Sequence, residues 1–434
     1  MYKIKRTLTV LAFSFLALTV YSQNLNTYSP YSRFGVGIIS NRGFTQNLGM
    51  GGISQVIRNP YAINYLNPAS YSAQDSMSFI FDFGVQGSST TFAGYDQYLK
   101  KYTANSSTGG IHHISIAFPV SKRWGVAAGI APFSNVGYSM FRYETDPVLL
   151  STFGRIKYEH IGRGGINQLF VGTGYSPVKN LSIGFNLLYY FGSLDYNNNI
   201  LFPSSTDDYT NAFIKSSLVV SDISYNIGFQ YAIILNKETK SSLIIGATVE
   251  NKQSINLKHK WIVDLQGNNS SFIDSVVPYN DLKKSFTLPT SISTGFAYNH
   301  KNKLLASVEY FTQDWSKTEA FNTNDPLSKM ETFRTGIEYT PNVKDLKSYF
   351  KKVNYRFGGY YKNSNILVGS TQISDYGITF GVGLPVRSNT RFNVSFELGK
   401  RGTSENYLIK ETYGLINLSI TFHDSPWFFK RKYN

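Results

Sequence analysis

Six histidines, no cysteine and a few glycine- and proline-rich stretches are the residues from which any chemistry of this chain must come. His112 and His113 are neighbours, and on a regular strand neighbouring side chains point to opposite faces, which is poor geometry for a shared metal. None of His112, His113, His160, His259, His300 and His423 lies in a His-Glu-x-x-His pattern, and no Gly-x-Ser-x-Gly nucleophile elbow is present. Without cysteine, thiolate catalysis, zinc-cysteine sites and a lipoprotein anchor are excluded. The run Leu48-Gly49-Met50-Gly51-Gly52 is not a phosphate loop, because no strand precedes it and no helix follows. We therefore expect no catalytic residue, no metal and no cofactor.

Three short stretches ask for a mechanical role instead. Gly49, Gly51 and Gly52 let a backbone pass close to a neighbouring wall. Asn67, Pro68 and Ala69 read as a turn whose asparagine amide bonds to backbone, either as a latch or as a plain entry to the first strand. Pro132, between Ala131 and Phe133, has no N–H for a sheet ladder; it either interrupts pairing within a strand or begins a loop.

The elements that position these residues are strands. Met77, Phe79, Phe81, Phe83 and Val85 alternate with polar or small residues, the two-residue period of a strand with one apolar face. Similar stretches fall near 77–86, 111–119, 124–133, 166–176, 181–194, 215–233, 241–253, 286–299, 303–315, 330–341, 354–363, 373–385, 390–400 and 409–422, about fourteen in all. They run longer than the five or six residues usual in soluble sheets. Connections at 120–123, 177–180, 234–240, 300–302 and 386–389 are short, those at 134–165, 195–214 and 254–285 are long, and 342–353 is a longer link on the short side. Short periplasmic turns and long external loops are the asymmetry of an outer-membrane barrel. Trp124, Tyr175, Tyr189, Tyr190, Trp315, Tyr339 and Trp427 sit near strand ends, where an aromatic girdle belongs.

The flanks agree. Residues 1–22 carry Lys3, Lys5 and Arg6, an apolar stretch from Leu8 to Leu18, and Val20 and Ser22 before a cut that leaves Gln23 first, which reads as an export signal. After it no apolar run approaches the roughly 18 residues of a membrane helix, so a closed barrel is the structure left for a chain that meets lipid. Residues 23–75 hold Leu48, Met50, Ile53, Val56, Ile57, Ile63, Tyr65 and Leu66, too apolar for a disordered tail, and are expected to pack inside the lumen. The barrel is then 76–423, and 424–434 a basic periplasmic tail. The net charge of +15 falls to +12 with Lys3, Lys5 and Arg6 removed; the other basic residues are scattered through turns and loops. A nucleic-acid reader gathers them on one face, so no nucleic acid is expected; attraction to anionic outer-membrane lipid and an ordinary solvated surface both account for the excess.

Several motifs resemble one family. Leu48-Gly-Met-Gly-Gly with Asn64-Tyr-Leu-Asn-Pro-Ala-Ser70 resembles the amino-terminal hatch of the FadL/TodX family of hydrophobic-compound transporters. Phe118 to Phe133, Tyr175 to Gly184 and Leu288 to Gly295 match it along the wall. The opening Tyr28 to Gly37 and the ending Asp424 to Tyr433 look like the Bacteroidetes branch of such barrels. The resemblance implies an all-β fold, a transmembrane antiparallel barrel of about 14 strands with an N-terminal hatch in the lumen. It implies passive uptake of a hydrophobic small molecule or lipid, with Gly49, Gly51, Gly52, Asn67, Pro68 and Ala69 in the gate and Ala131, Pro132 and Phe133 at a lateral opening. That branch is similar also to barrels that partner the type IX secretion machinery, so a structural barrel binding an outer-membrane protein is the alternative. Apolar residues behind the hatch favour transport; a polar, tightly filled lumen with an apolar patch on periplasmic turns favours a partner.

Overall fold

The computed structural model describes residues 27–424 apart from 41–42, 97, 204–208, 268–272, 302, 319–325 and 388–389. The expected signal and basic tail, and Trp427, lie outside the described residues. Seventeen strands appear in chain order: β1 (Ile38–Ile39), β2 (Phe79–Tyr95), β3 (Lys101–Ser121), β4 (Trp124–Tyr143), β5 (Lys157–Tyr175), β6 (Leu181–Leu201), β7 (Thr210–Asn236), β8 (Ser241–Glu250), β9 (Gln253–Gly267), β10 (Ile273–Leu288), β11 (Ser291–His300), β12 (Leu304–Asp314), β13 (Lys329–Tyr339), β14 (Asn354–Val368), β15 (Thr371–Arg387), β16 (Thr390–Arg401) and β17 (Lys410–Asp424). Strands β2 to β8 and β11 to β17, seven and seven, form a closed 14-strand antiparallel barrel. β17 pairs with β2 from Lys410↔Ala93 to Asp424↔Phe79, so the sheet has no terminal edge.

Alternation closes it with the apolar side out. On β6, Ile183, Phe185, Leu187 and Tyr189 are exposed while Ser182, Asn186, Leu188 and Tyr190 are buried. The same outward belt continues through Phe296, Val308, Phe333, Ile337, Phe357, Phe380 and Phe396. A belt of exposed large apolar side chains around a sheet closed on itself by main-chain pairing is what a hydrocarbon environment selects.

Three connections read as long loops prove to be mostly ladder. The 134–165 connection contains the outer halves of β4 and β5 joined by a helical turn at Pro147–Phe153, and 195–214 contains the paired ends of β6 and β7. The 254–285 connection is the hairpin of β9 and β10. β9 runs along β7 from Thr210↔Gly267 to Val220↔Leu257, and β8 continues the same path from Asn226↔Glu250. The break between them is bridged by Asn251, whose Oδ1 accepts from Ser224 Oγ and from Tyr225 N. These stretches are ordered by cross-strand pairing, which local alternation does not record.

Inside the wall, side chains divide by chemistry. An apolar layer contains Tyr190, Leu194, Leu218, Val220, Leu257, Phe286, Leu288, Phe311 and Trp315. Trp315 and Tyr190 thus belong to the interior rather than to the girdle, whereas Trp124, Tyr175, Tyr189 and Tyr339 face outward. Beside it lie smaller apolar clusters, one of them Met50, Ile53, Val56, Ile57, Ile244 and Ala297, and charged groups, with Asp82, Glu309, Arg356, Asp375, Glu397 and Glu411 all buried.

Candidate functional site: the plugged lumen and the parted wall

The segment before β2 fills the barrel. Leu48, Met50, Ile53, Val56, Ile57, Ile63 and Tyr65 are all buried. Gly51 has φ +69°, and a Cβ there would sit 2.7 Å from the carbonyl oxygens of both Thr335 and Gly359, so only glycine lets this turn lie against the wall. Gly49 approaches similarly, its added Cβ 2.9 Å from the Gly381 Cα, and Gly52 follows at φ +80°.

Buried polar groups stitch the segment to the wall at several heights. Glu309 of β12 accepts from the backbone N–H of Ser54 (2.7 Å) and Gln55 (2.9 Å), and its other oxygen pairs with Arg334 of β13 at 3.0 Å. These are charge-assisted bonds away from water, the strong kind. Thr379 Oγ1 accepts from Gly51 N at 2.7 Å. Asn67 caps the short helix Pro68–Ala73: its Oδ1 accepts from Ala69 N, and its amide donates to Gln55 O and to Phe229 O on β7. Pro68 and Ala69 press against the wall where Gly184 and Gly228 leave room. At the end of β16 Arg401 spans Asp375 and Glu411, both at 3.0 Å, and Ser29 Oγ donates to the same Glu411. Tyr413 donates to Asp375, and Tyr31 Oη donates to Ile409 O at 2.6 Å.

The histidine pair departs from expectation. A bulge between Gly84↔His113 and Val85↔Ile111 leaves His112 without a partner residue on β2. That extra residue turns both imidazoles inward, so they do not face opposite sides: their Nδ1 atoms are 2.9 Å apart and both rings are buried. His113 Nε2 meets Asp82 Oδ1 at 2.9 Å, Thr421 donates to the other Asp82 oxygen, and Phe44 stacks on the His113 ring at 3.8 Å. The chain of carboxylate and two imidazoles joins β2, β3, β17 and the plug. Among the described residues no three metal-ligating side chains converge.

Ala131, Pro132 and Phe133 lie where the wall parts. β4 stays paired with β5 throughout, with a shift between Pro132 and Ser134, but it pairs with β3 only from Ile114↔Ile130 to Ser121↔Trp124. Ala131 and Phe133 are buried, Phe133 edge-on to Tyr190 at 4.8 Å. A cavity of about 100 Å³ lies beside this parting, lined by Ser88, Thr90, Thr108, His112, Asn135 and Arg401 among others. The proline could be read from the sequence; the bulge, the Glu309 and Arg401 links and the parting could not, because they depend on register between strands far apart in the chain.

The fold is similar to that of solved transporters. TbuX, the toluene transporter of Ralstonia pickettii, superposes with a TM-score of 0.57 at 14% identity, over 88% of this chain and 98% of that chain. A FadL homologue of Pseudomonas aeruginosa gives 0.56 at 14% identity, over 89% and 99%. The Pseudomonas putida toluene transporter TodX gives 0.55 at 14% identity, over 88% and 98%. No curated protein matches the chain. A family model described as BamG matches residues 3–434.

Proposed function

Because the chain belongs to the BamG family, we propose that it is an outer-membrane barrel that works by binding another protein of the outer-membrane assembly machinery, to which the family's name points. The observation that carries this reading is the filled lumen. Sites for small hydrophobic ligands are typically about 300–1,000 Å³ and mostly apolar. The interior cavity beside the wall parting is about 100 Å³ and lined by polar and apolar groups alike, two others are about 20 Å³, and buried charged hydrogen bonds cross the interior. Opening such a lumen strands buried charges, a large cost for passing a neutral oil.

The surface that suits such a partner is on the short-turn side. The link between β13 and β14 exposes Val343, Leu346, Tyr349 and Phe350, with Leu346 95% and Phe350 73% accessible. Water alone does not select such a cluster on an ordered loop. The loop is held in shape: Asn342 N donates to Lys351 O, Asp345 Oδ1 accepts from Lys347 N and Ser348 N, and Tyr355 Oη donates to Phe350 O. Lys344, Lys347, Lys351 and Lys352 surround it, so the complementary surface is apolar with an acidic rim. Strands that join by short turns face the periplasm in such barrels.

The test is co-purification of the tagged full chain in mild detergent, with and without Leu346→Asp and Phe350→Asp together. Recovery of an outer-membrane assembly protein that falls at least about tenfold in the variant, with barrel stability within about 0.5 kcal/mol, supports the reading. Retention of the partner by the variant removes the loop from it. Absence of any partner, together with slowed uptake of long-chain compounds in a depleted strain, overturns it.

A second reading has its own support. The apolar layer from Leu188 to Trp315 and the parting beside Ala131, Pro132 and Phe133 suit a channel for hydrophobic compounds, with Gly49, Gly51, Gly52, Asn67, Pro68 and Ala69 as a moving hatch. That reading requires the plug to shift before any ligand fits.

A further inference from the structure

Every neighbouring pair of barrel strands is bonded, yet β3 and β4 part early. Beyond Ile114 and Ile130 both strands continue outward: β3 back to Lys101, bonded among the described residues to β2 alone, and β4 on to Tyr143, bonded to β5. Each strand therefore turns a long edge toward the other. Unpaired backbone N–H and C=O groups along an edge are a template for a further strand.

On the β4 side a strand has already been added. β1 of the plug pairs antiparallel with β4 as Ile38↔Asn135 and Ile39↔Ser134. Ser40 N donates to Phe133 O and Ser29 N to Gly137 O, extending the added segment in both directions. Gly37, at φ +90°, would place a Cβ 2.5 Å from Asn135 O, so the chain comes as close as main-chain pairing needs.

The β3 side carries no comparable cover among the described residues. From Tyr102 to Gly110 the edge reads Tyr-Thr-Ala-Asn-Ser-Ser-Thr-Gly-Gly, nine residues without a charge or a proline. Natural sheets blunt exposed edges with lysine, proline or a bulge, and here the bulge falls only after this run, at His112. Both faces of β3 are exposed from Lys101 to Asn105. Ser88, Thr90, Thr108, Gly109 and Gly110 line the adjacent cavity, leaving space for small polar side chains.

We propose that the seam between β3 and β4 is a strand-acceptor site, in which an extended segment of another polypeptide pairs with the Tyr102–Gly110 edge of β3 by main-chain hydrogen bonds, alongside the chain's own β1. The proposal rests on the reading of this barrel as one that acts through protein partners. Recognition of this kind is carried by backbone and tolerates many sequences. Residues of the incoming strand that point into the cavity are small or polar, and bulky charged ones are excluded.

The test uses the full-length protein in intact cells, with the photo-crosslinking residue benzoylphenylalanine placed in turn at Ala104, Ser106 and Thr108. These positions share one strand face, so an added strand gives crosslinks to a second polypeptide whose attachment point moves by two residues each time the probe moves by two. Asn105→Pro and Ser106→Pro, each combined with the probe at Ala104, remove neighbouring N–H groups, one facing β2 and the other facing the seam. The seam-facing proline lowers the crosslink yield at least about fivefold, the worth of one main-chain hydrogen bond, while the barrel keeps its heat-modifiable mobility on gels. Attachment points that do not walk, a yield insensitive to both prolines, or crosslinks confined to the chain's own amino-terminal segment overturn the proposal. If partner co-purification persists in that case, the seam fails and the partner reading survives.

Discussion

Replacing Glu309 by alanine tests how the plug is held. Glu309 is 4% exposed, and its carboxylate carries two N–H bonds from Ser54 and Gln55 and the pair with Arg334. Removal leaves two plug donors without their acceptor and takes from the largely buried Arg334 its carboxylate partner on β12. Breaking a buried pair from one side costs about 3–5 kcal/mol. The wall ladder at this residue, Gly295↔Glu309 and Glu309↔Arg334, is main-chain and persists, so the loss falls on the seating of the plug. The assay is amide exchange of Ser54 to Ile57 in detergent, with barrel strands as an internal reference. If local release governs exchange, rates rise roughly a hundredfold to several thousandfold, at 1.4 kcal/mol per tenfold. Glu309→Gln keeps an acceptor and loses the charge, so a rise of about tenfold is expected. Exchange at these amides within about threefold of the unaltered protein in Glu309→Ala refutes the reasoning, because a held plug cannot lose these bonds unchanged.

Gly51→Ala places a methyl 2.7 Å from two wall carbonyls at a positive φ, so it should lower stability by about 1–3 kcal/mol, read as a fall in the temperature at which the barrel unfolds on gels. Asn67→Ala removes an acceptor from Ala69 N and donors from two carbonyls; a loss of about 1–3 kcal/mol and earlier proteolysis near residue 67 are expected. Asp345 in the exposed loop is held below the usual aspartate range, first by the Ser348 N–H, then by the Lys347 N–H and Lys351. Its folded value is the lower one, so its contribution is present above the unfolded value near 3.8 and is lost as pH falls through the folded value. Asp345→Asn should remove that pH dependence, and exchange at Lys347 and Ser348 amides measures it.

Strand character was legible in the sequence because a two-residue period and proline-rich turns are local. Met77 to Val85 declares an apolar face without reference to any partner. The glycines at 49, 51 and 52 and the asparagine at 67 announced backbone tasks for the same reason, since φ and side-chain capping are properties of a few consecutive residues. Which face turned inward, by contrast, was decided only when the sheet closed, as was the conversion of 254–285 from loop to hairpin through pairing with β7. One inserted residue at His112 brought to one side two side chains expected on opposite faces, and local pattern holds no record of a bulge. The charged links Glu309 to Ser54 and Arg401 to Glu411 join groups brought together by barrel register, where low dielectric and fixed geometry give them strength that sequence spacing cannot express. Composition and period thus determined long strands with one apolar face; the direction of that face, the packed interior, and with it the closed state of the lumen, belonged to tertiary structure, because long-range register alone sets which polar groups meet away from water.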